Sequence, residues 1–287
     1  MRIPISIAYA FLALAIPSGF AQMSRNMPTG TVHFDGNGNF VTATFTIKVP
    51  LQVPQTGFLP GRPYSAEEIS QQTQILPDGT KILRSGQSNF MYRDSAGRTR
   101  AERHMPAPAT GKHADVPAVP EIFDPFSGCI YYLDVANGVA HRVTVPQPIR
   151  ALTPPQGLVF PGAAPVMSTV PGTSPSITPE RSSESLGTQV IEGVLAQGTR
   201  TTTTYPVGAM GNDQPISATT ENWISRDLNA VVLSKISDPR QGDRIQALVN
   251  ISQTEPDPAL FQVPPGYQVI DETGPFTITI KGSSKGN

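Results

Sequence analysis

The chain has 287 residues, enough for one large domain or two small ones. Charged residues make up 15%, Gly and Pro number 25 and 30, and the formal net charge is −1. That balance excludes a general nucleic-acid binder, which carries a basic excess, and the Thr-, Val-, Gly- and Pro-rich composition leans to β-structure.

Residues 1–21 read as a secretory signal peptide. Arg2 precedes an apolar run from Ile3 to Ile16, Pro17 and Gly19 break it, and Gly19 and Ala21 are small residues suited to a cut before Gln22. The run is shorter than the roughly 20 residues that span a bilayer. No Cys lies near the cut, which excludes a bacterial lipid anchor, and no other apolar run is long enough to cross a membrane. The expectation is export to the periplasm or the extracellular space, with no membrane span after cleavage.

The next block, about 22–145, reads as an N-terminal β-rich half. VTATFTIKV (Val41 to Val49) alternates apolar and polar residues, the mark of a half-buried strand. SAEEISQQTQIL (Ser65 to Leu76) carries a Ser cap with Glu68 three residues on and so admits a helix. Its Ile, Thr and Gln content entering Pro77-Asp78-Gly79 favours a strand. VAHRVTV alternates through Val139, His141, Val143 and Val145. Asp-to-Gly turns recur at Asp78–Gly79, Asp94–Gly97, Asp124–Gly128, Asp134–Gly138 and Asp238–Gly242. In each, Asp accepts from the turn backbone and Gly takes positive φ, so strand, turn and strand repeat as an antiparallel meander.

Residues 146–184 break the pattern. Pro recurs every few residues, charge is nearly absent, and neither helix nor central strand can persist, so this is a Pro-rich linker or insertion. Residues 105–120 read as a long loop. A C-terminal β-rich half follows over 185–275, with IQALVNI (Ile245 to Ile251) alternating cleanly, and 276–287 reads as a tail. A small meander with one apolar face needs cover, which favours one shared core.

Little in the sequence carries chemistry. No G-x-S-x-G elbow or phosphate-binding glycine loop occurs. The histidines His33, His104, His113 and His141 lack metal-ligand spacing, and His104 and His113 beside Glu102 or Asp115 read as solvated loop residues. Cys129, the single cysteine, reads as a buried, inert thiol. The Arg-rich hairpin (Arg93, Arg98, Arg100, Arg103) reads as solvent-facing side chains paired across strands. Neither a catalytic residue, a metal nor a cofactor is implied.

The C-terminal half carries a resemblance. A strand bears Trp223, Asp227-Leu228-Asn229 turns it, a second turn runs from Asp238 to Gly242, and the chain closes on PALFQVPPGY. Trp223, Asp238, Gly242, Phe261, Pro264 and Tyr267 stand at positions that match the lipoprotein-carrier-like (LolA/LppX-like) superfamily, and Leu186 to Pro206 is similar to its preceding hairpin. The whole chain, through DGTKI, YRDSAGRTRAE and FDPFSGCIYYLD, resembles uncharacterised secreted proteins of soil bacteria.

The resemblance implies a mainly β fold: a curved antiparallel sheet forming an unclosed half-barrel with little helix. Leu260 and Phe261 would plug its core. It implies an exported, non-catalytic protein. One reading is a module that binds a lipid or other apolar ligand in the half-barrel cleft, lined by Phe45, Ile47, Trp223, Leu233, Val249 and Phe261, with Val190 and Val231 beside them. The alternative is a structural or protein-interaction module, like an envelope sensor, with a filled core and an envelope protein as partner. A filled centre favours the alternative.

Overall fold

Alternating β-branched residues separated by Asp-to-Gly turns dictate a meander, and the structure is one. The computed structural model describes residues 29–34, 40–49, 60–85, 88–104, 118–145 and 178–283. The segment expected to be a signal peptide, residues 105–117 of the stretch read as a long loop, and residues 146–177 of the Pro-rich stretch lie outside the described residues. The described chain is mainly β: β1 (Thr29–Phe34), β2 (Phe40–Val49), β3 (Tyr64–Ile75), β4 (Lys81–Ser85), β5 (Asn89–Arg93), β6 (Thr99–His104), β7 (Ala118–Asp124), β8 (Cys129–Asp134), β9 (Val139–Thr144), β10 (Glu180–Ile191), β11 (Val194–Tyr205), β12 (Ile216–Ser225), β13 (Ala230–Asp238), β14 (Gly242–Ser252), β15 (Gln268–Glu272) and β16 (Phe276–Ser283). The single described helical element is a 3-10 turn, Pro258–Phe261.

Two compact units divide the chain, and both are discontinuous in sequence. The first comprises residues 1–65, 87–152 and 253–287; the second comprises 66–86 and 153–252.

In the first unit, β5, β6, β7, β8 and β9 follow one another as antiparallel neighbours, and β15 adds a parallel strand to β9. A separate three-stranded sheet runs β1-β2-β16. Both faces of β7–β9 are covered, so these strands are buried nearly throughout rather than alternately. On one face the 3-10 turn seats Phe261 against Ile122, Leu133 and Ala140, with Tyr92, Tyr131, Leu260, Val263 and Tyr267 packed around them. On the other face Phe276 of β16 meets Tyr132 and His141, and the Thr279 amide donates to Asp134 Oδ2 at 3.3 Å.

In the second unit the antiparallel order is β10-β11-β12-β13-β14, with β3 next to β14 and β4 paired to β3. The order does not close into a barrel in either unit, β10 and β15 each having one neighbour among the described residues.

The five turns close as their residues dictate. The amides of Thr80, Arg98, Phe126, Asn137 and Arg240 donate to the side chains of Asp78, Asp94, Asp124, Asp134 and Asp238, and the closing glycines all take positive φ. Gly242 is the most constrained. At φ +85 a Cβ there would lie 2.1 Å from the Thr73 carbonyl oxygen of β3.

Four features differ from the sequence expectation. Ala118–Pro120, the end of the stretch read as a long loop, form the start of β7. Phe276–Ser283, assigned to the tail, is a strand whose Phe276, Ile278 and Ile280 are buried. Strand β10 begins at Glu180, inside the stretch assigned to the linker, because the last proline is Pro179. The arginine hairpin does not simply face solvent. Arg93 is buried, donates to the Arg62 carbonyl at 2.8 Å and lies over the Tyr64 ring. Arg98 lies over Phe261, and Arg100 donates to the Leu260 carbonyl at 3.1 Å. Pro256 and Pro258 offer no N–H, so the segment around the 3-10 turn cannot join a ladder, and arginine side chains hold it instead. Glu255 completes the anchorage by accepting from the Ser95 amide and hydroxyl.

Candidate functional site

In the first unit a cleft of about 450 Å³ opens beside the 3-10 turn, lined by Asp124, Tyr131, Arg142, Phe261, Gln262, Val263 and Val269. Register explains the grouping. Tyr131 stands directly opposite Ile122 on β7 and Arg142 on β9, so all three share the face on which Phe261 sits. Phe261, Val263 and Val269 form an apolar wall and the rest a polar one. Arg142 is neutralised within the site by a two-pronged pair to Asp271 at 2.5 and 2.7 Å. The hydrogen bonds to Arg142 hold the Asp271 carboxyl below the usual carboxylate range.

The opposite face of the same strands carries a polar row that sequence reading missed. Glu121, Tyr132 and His141 are paired in register across β7, β8 and β9, and all three are buried. Burial pushes the Glu121 carboxyl up, against the pull of Arg103. Burial, with Glu121 nearby, also pushes the Tyr132 hydroxyl up. Among the described residues, Glu121 Oε2 and Arg103 Nε have no hydrogen-bond partner. His141 meets Glu272 at 2.7 Å and stacks on Phe276 at 4.6 Å. The row favours a proton on Glu121 but offers no nucleophile and base in contact. Among the described residues no three His, Cys, Asp or Glu side chains converge as a metal ligand set. Cys129 is buried, its thiol 3.5 Å from the Ser127 carbonyl.

The second unit presents two contrasting features on one face of its sheet. Gly198 of β11 stands opposite Trp223 of β12, which stands opposite Leu233 of β13. The indole lies flat on Gly198, where a Cβ would be 2.8 Å from three ring atoms. One register step away runs a row of alternating charge: Glu184 on β10, Arg200 on β11, Glu221 on β12 and Lys235 on β13, each directly opposite the next. Arg200 donates to Glu184 at 2.7 Å and to Glu221 at 2.6 and 2.9 Å. On the opposite face Val190 and Leu195 stand paired and exposed, and Val231 is exposed as well.

The cleft residues chosen from sequence fall in both units. Trp223, Leu233 and Val249 lie in the second; Trp223 is buried, and Leu233 and Val249 are half-buried. Phe261 lies in the first and is buried in its core. Phe45 and Ile47 lie on β2 of the first unit, but their side chains are outside the described residues. Among the chosen residues, register places Trp223 directly against Leu233. Of the histidines weighed from sequence, the side chain of His141 alone is described. No described helix is long and apolar enough to cross a membrane.

No family model matches the chain. No curated protein matches it either. Solved structures similar to it include a LolA superfamily protein from Nitrosomonas europaea, at 7% identity and TM-score 0.26, covering 71% of this chain and 92% of that one. They also include LprF from Mycobacterium bovis, at 14% identity and TM-score 0.26, covering 68% and 90%. A third is a chain of the Pseudomonas aeruginosa MucA/MucB complex, at 11% identity and TM-score 0.36, covering 73% of this chain and 58% of that one. The overlaps are loose in all three.

Proposed function

We propose that the chain is an exported, non-catalytic protein-interaction module of the cell envelope. The observation that carries this reading is how its large side chains are used. Phe261 fills the core of one unit, and in the other Trp223 covers Gly198 with no room for a methyl group between them. Side chains committed to packing leave the strand edges and exposed faces as the surface for a partner. The export part of the proposal rests on residues 1–21.

A second reading keeps an apolar ligand, and the cleft beside Phe261 supports it, because Phe261, Val263 and Val269 give it an apolar wall. Native mass spectrometry separates the two. The mature chain, Gln22 to Asn287, is exported into a bacterial periplasm, purified without detergent, and measured before and after addition of phospholipid vesicles. A clean apo mass in both spectra is expected. A stoichiometric lipid adduct would overturn the interaction reading in favour of the carrier reading.

A further inference from the structure

We propose that β10 is the docking edge for an extended, basic segment of a partner protein, which joins the sheet of the second unit as an added strand. The proposal rests on the interaction reading above and names the chemistry of the partner.

Strand β10 is twelve residues long, exposed at ten of them and partly exposed at the other two. Among the described residues its one strand neighbour is β11. The outer edge of such a strand carries a row of backbone donors and acceptors, the template used when an extended peptide adds to a sheet. Main-chain hydrogen bonds supply affinity there, and the side chains facing the newcomer supply selectivity.

The selectivity is set by the row Lys235, Glu221, Arg200, Glu184. Charge alternates at every strand, plus, minus, plus, minus, and the outermost member is a carboxylate at the open edge. The Glu184 side chain is 60% exposed even with Arg200 on its inner side. A strand added outside β10 continues the alternation only by placing Lys or Arg opposite Glu184. At the other end of β10, Val190 and Leu195 form an exposed apolar pair on the opposite face, and a branched apolar side chain on the same newcomer would cover them.

A second copy of this chain fits less well. Strand β10 has two carboxylates, Glu180 and Glu184, and one cation, Arg181, so two copies bring an excess of like charge together.

The test uses the full mature chain and two fluorescein-labelled ten-residue peptides of alternating Thr and Val. One carries Lys at its centre and the other Glu. Fluorescence anisotropy reads affinity, and amide hydrogen exchange reads the site. The Lys peptide is expected to bind about five-fold more tightly than the Glu peptide, the factor that corresponds to a cross-strand charge pair of about 1 kcal/mol. Exchange is expected to slow over 180–191, and Glu184→Lys should reverse the preference. The comparison of the two peptides on the unaltered chain stands even if that variant folds poorly. No binding, a preference for the Glu peptide, protection elsewhere in the chain, or self-association through β10 that excludes both peptides would overturn the proposal. Failure with a clean apo mass sinks the edge alone; lipid uptake sinks the interaction reading beneath it.

Discussion

In the first unit, Ile122, Ile130, Leu133 and Val143 are buried on both faces of strands six or seven residues long. In the second, Val190, Leu195, Val231 and Ile245 are exposed on strands of nine to twelve. The two units draw on the same strand-forming residues and put them to different uses. Covering both faces converts apolar area into stability at roughly 25 cal/mol per Å². The second unit instead leans on turns, on cross-strand pairs such as Arg200 with Glu184 and Glu221, and on one buried end around Trp223, Val232 and Leu248. Each such pair contributes only about 0.2–1 kcal/mol. Apolar side chains left outside are then available to a partner, which is the physical basis of the interaction reading.

The contrast places the largest expected effect in the first unit. Phe261→Ala empties the centre of its core and should cost about 3–5 kcal/mol, read as a loss of stability in urea. A cost near zero would mean that the 3-10 turn is not seated there. Close behind comes Gly242→Ala in the second unit. It combines positive φ with a Cβ driven into the Thr73 backbone, and should cost about 3 kcal/mol or more. The second unit is thus sensitive where backbones meet.

Gly198→Ala should cost about 1–3 kcal/mol. It should also shift the emission of Trp223, the only Trp in the chain, because the ring must leave its place on Gly198. Unchanged emission with unchanged stability would contradict the packed reading of that position.

Acidity acts in opposite senses at Glu121 and Asp238. Glu121 in the first unit has its folded pKa raised by burial above the usual 4.5. Its contribution is therefore fully present below that value and is lost as pH rises through the folded pKa. Glu121→Gln should flatten that loss. Asp238 in the second unit is lowered from 3.8 by the hydrogen bonds from Arg240. Its contribution is present above 3.8 and is lost as pH falls through the lowered value, so Asp238→Asn should remove an acid limb. Thermal midpoints across the pH range check both. The smallest effects belong to the open surface: Val190→Ser and Leu195→Ser should each stay within about 0.5 kcal/mol.

Much of the fold was legible in the sequence because its determinants are local. The strands over Val41 to Val49 and Ile245 to Ile251, and the Asp-to-Gly turns, depend on neighbours a few residues away, and the structure forms them, although in β14 the buried side chain is Leu248 while Ile245 is exposed. The alternation of Phe276, Ile278 and Ile280 was equally local, but the polar residues after it masked it. What stayed hidden depends on partners distant in sequence. The neighbour relation of β3 and β14 assigns β3 to the second unit, although β14 follows some 170 residues later. The row Glu121, Tyr132, His141 exists only once three strands have taken their register. The arginines of the hairpin gained their role from carbonyls that prolines had left without a ladder. For the candidate site, the sequence marked Phe261 and Trp223 as large apolar residues of note, but apolarity alone does not separate a cleft lining from a core.

Amide hydrogen exchange on the mature chain, without any partner, tests the central contrast most directly. Protection should be greatest in β7, β8 and β9, where both faces are covered, and least along β10, with the rest of the second unit between. Equal protection across β10 and β8 would contradict the assignment of one unit to packing and the other to an open edge.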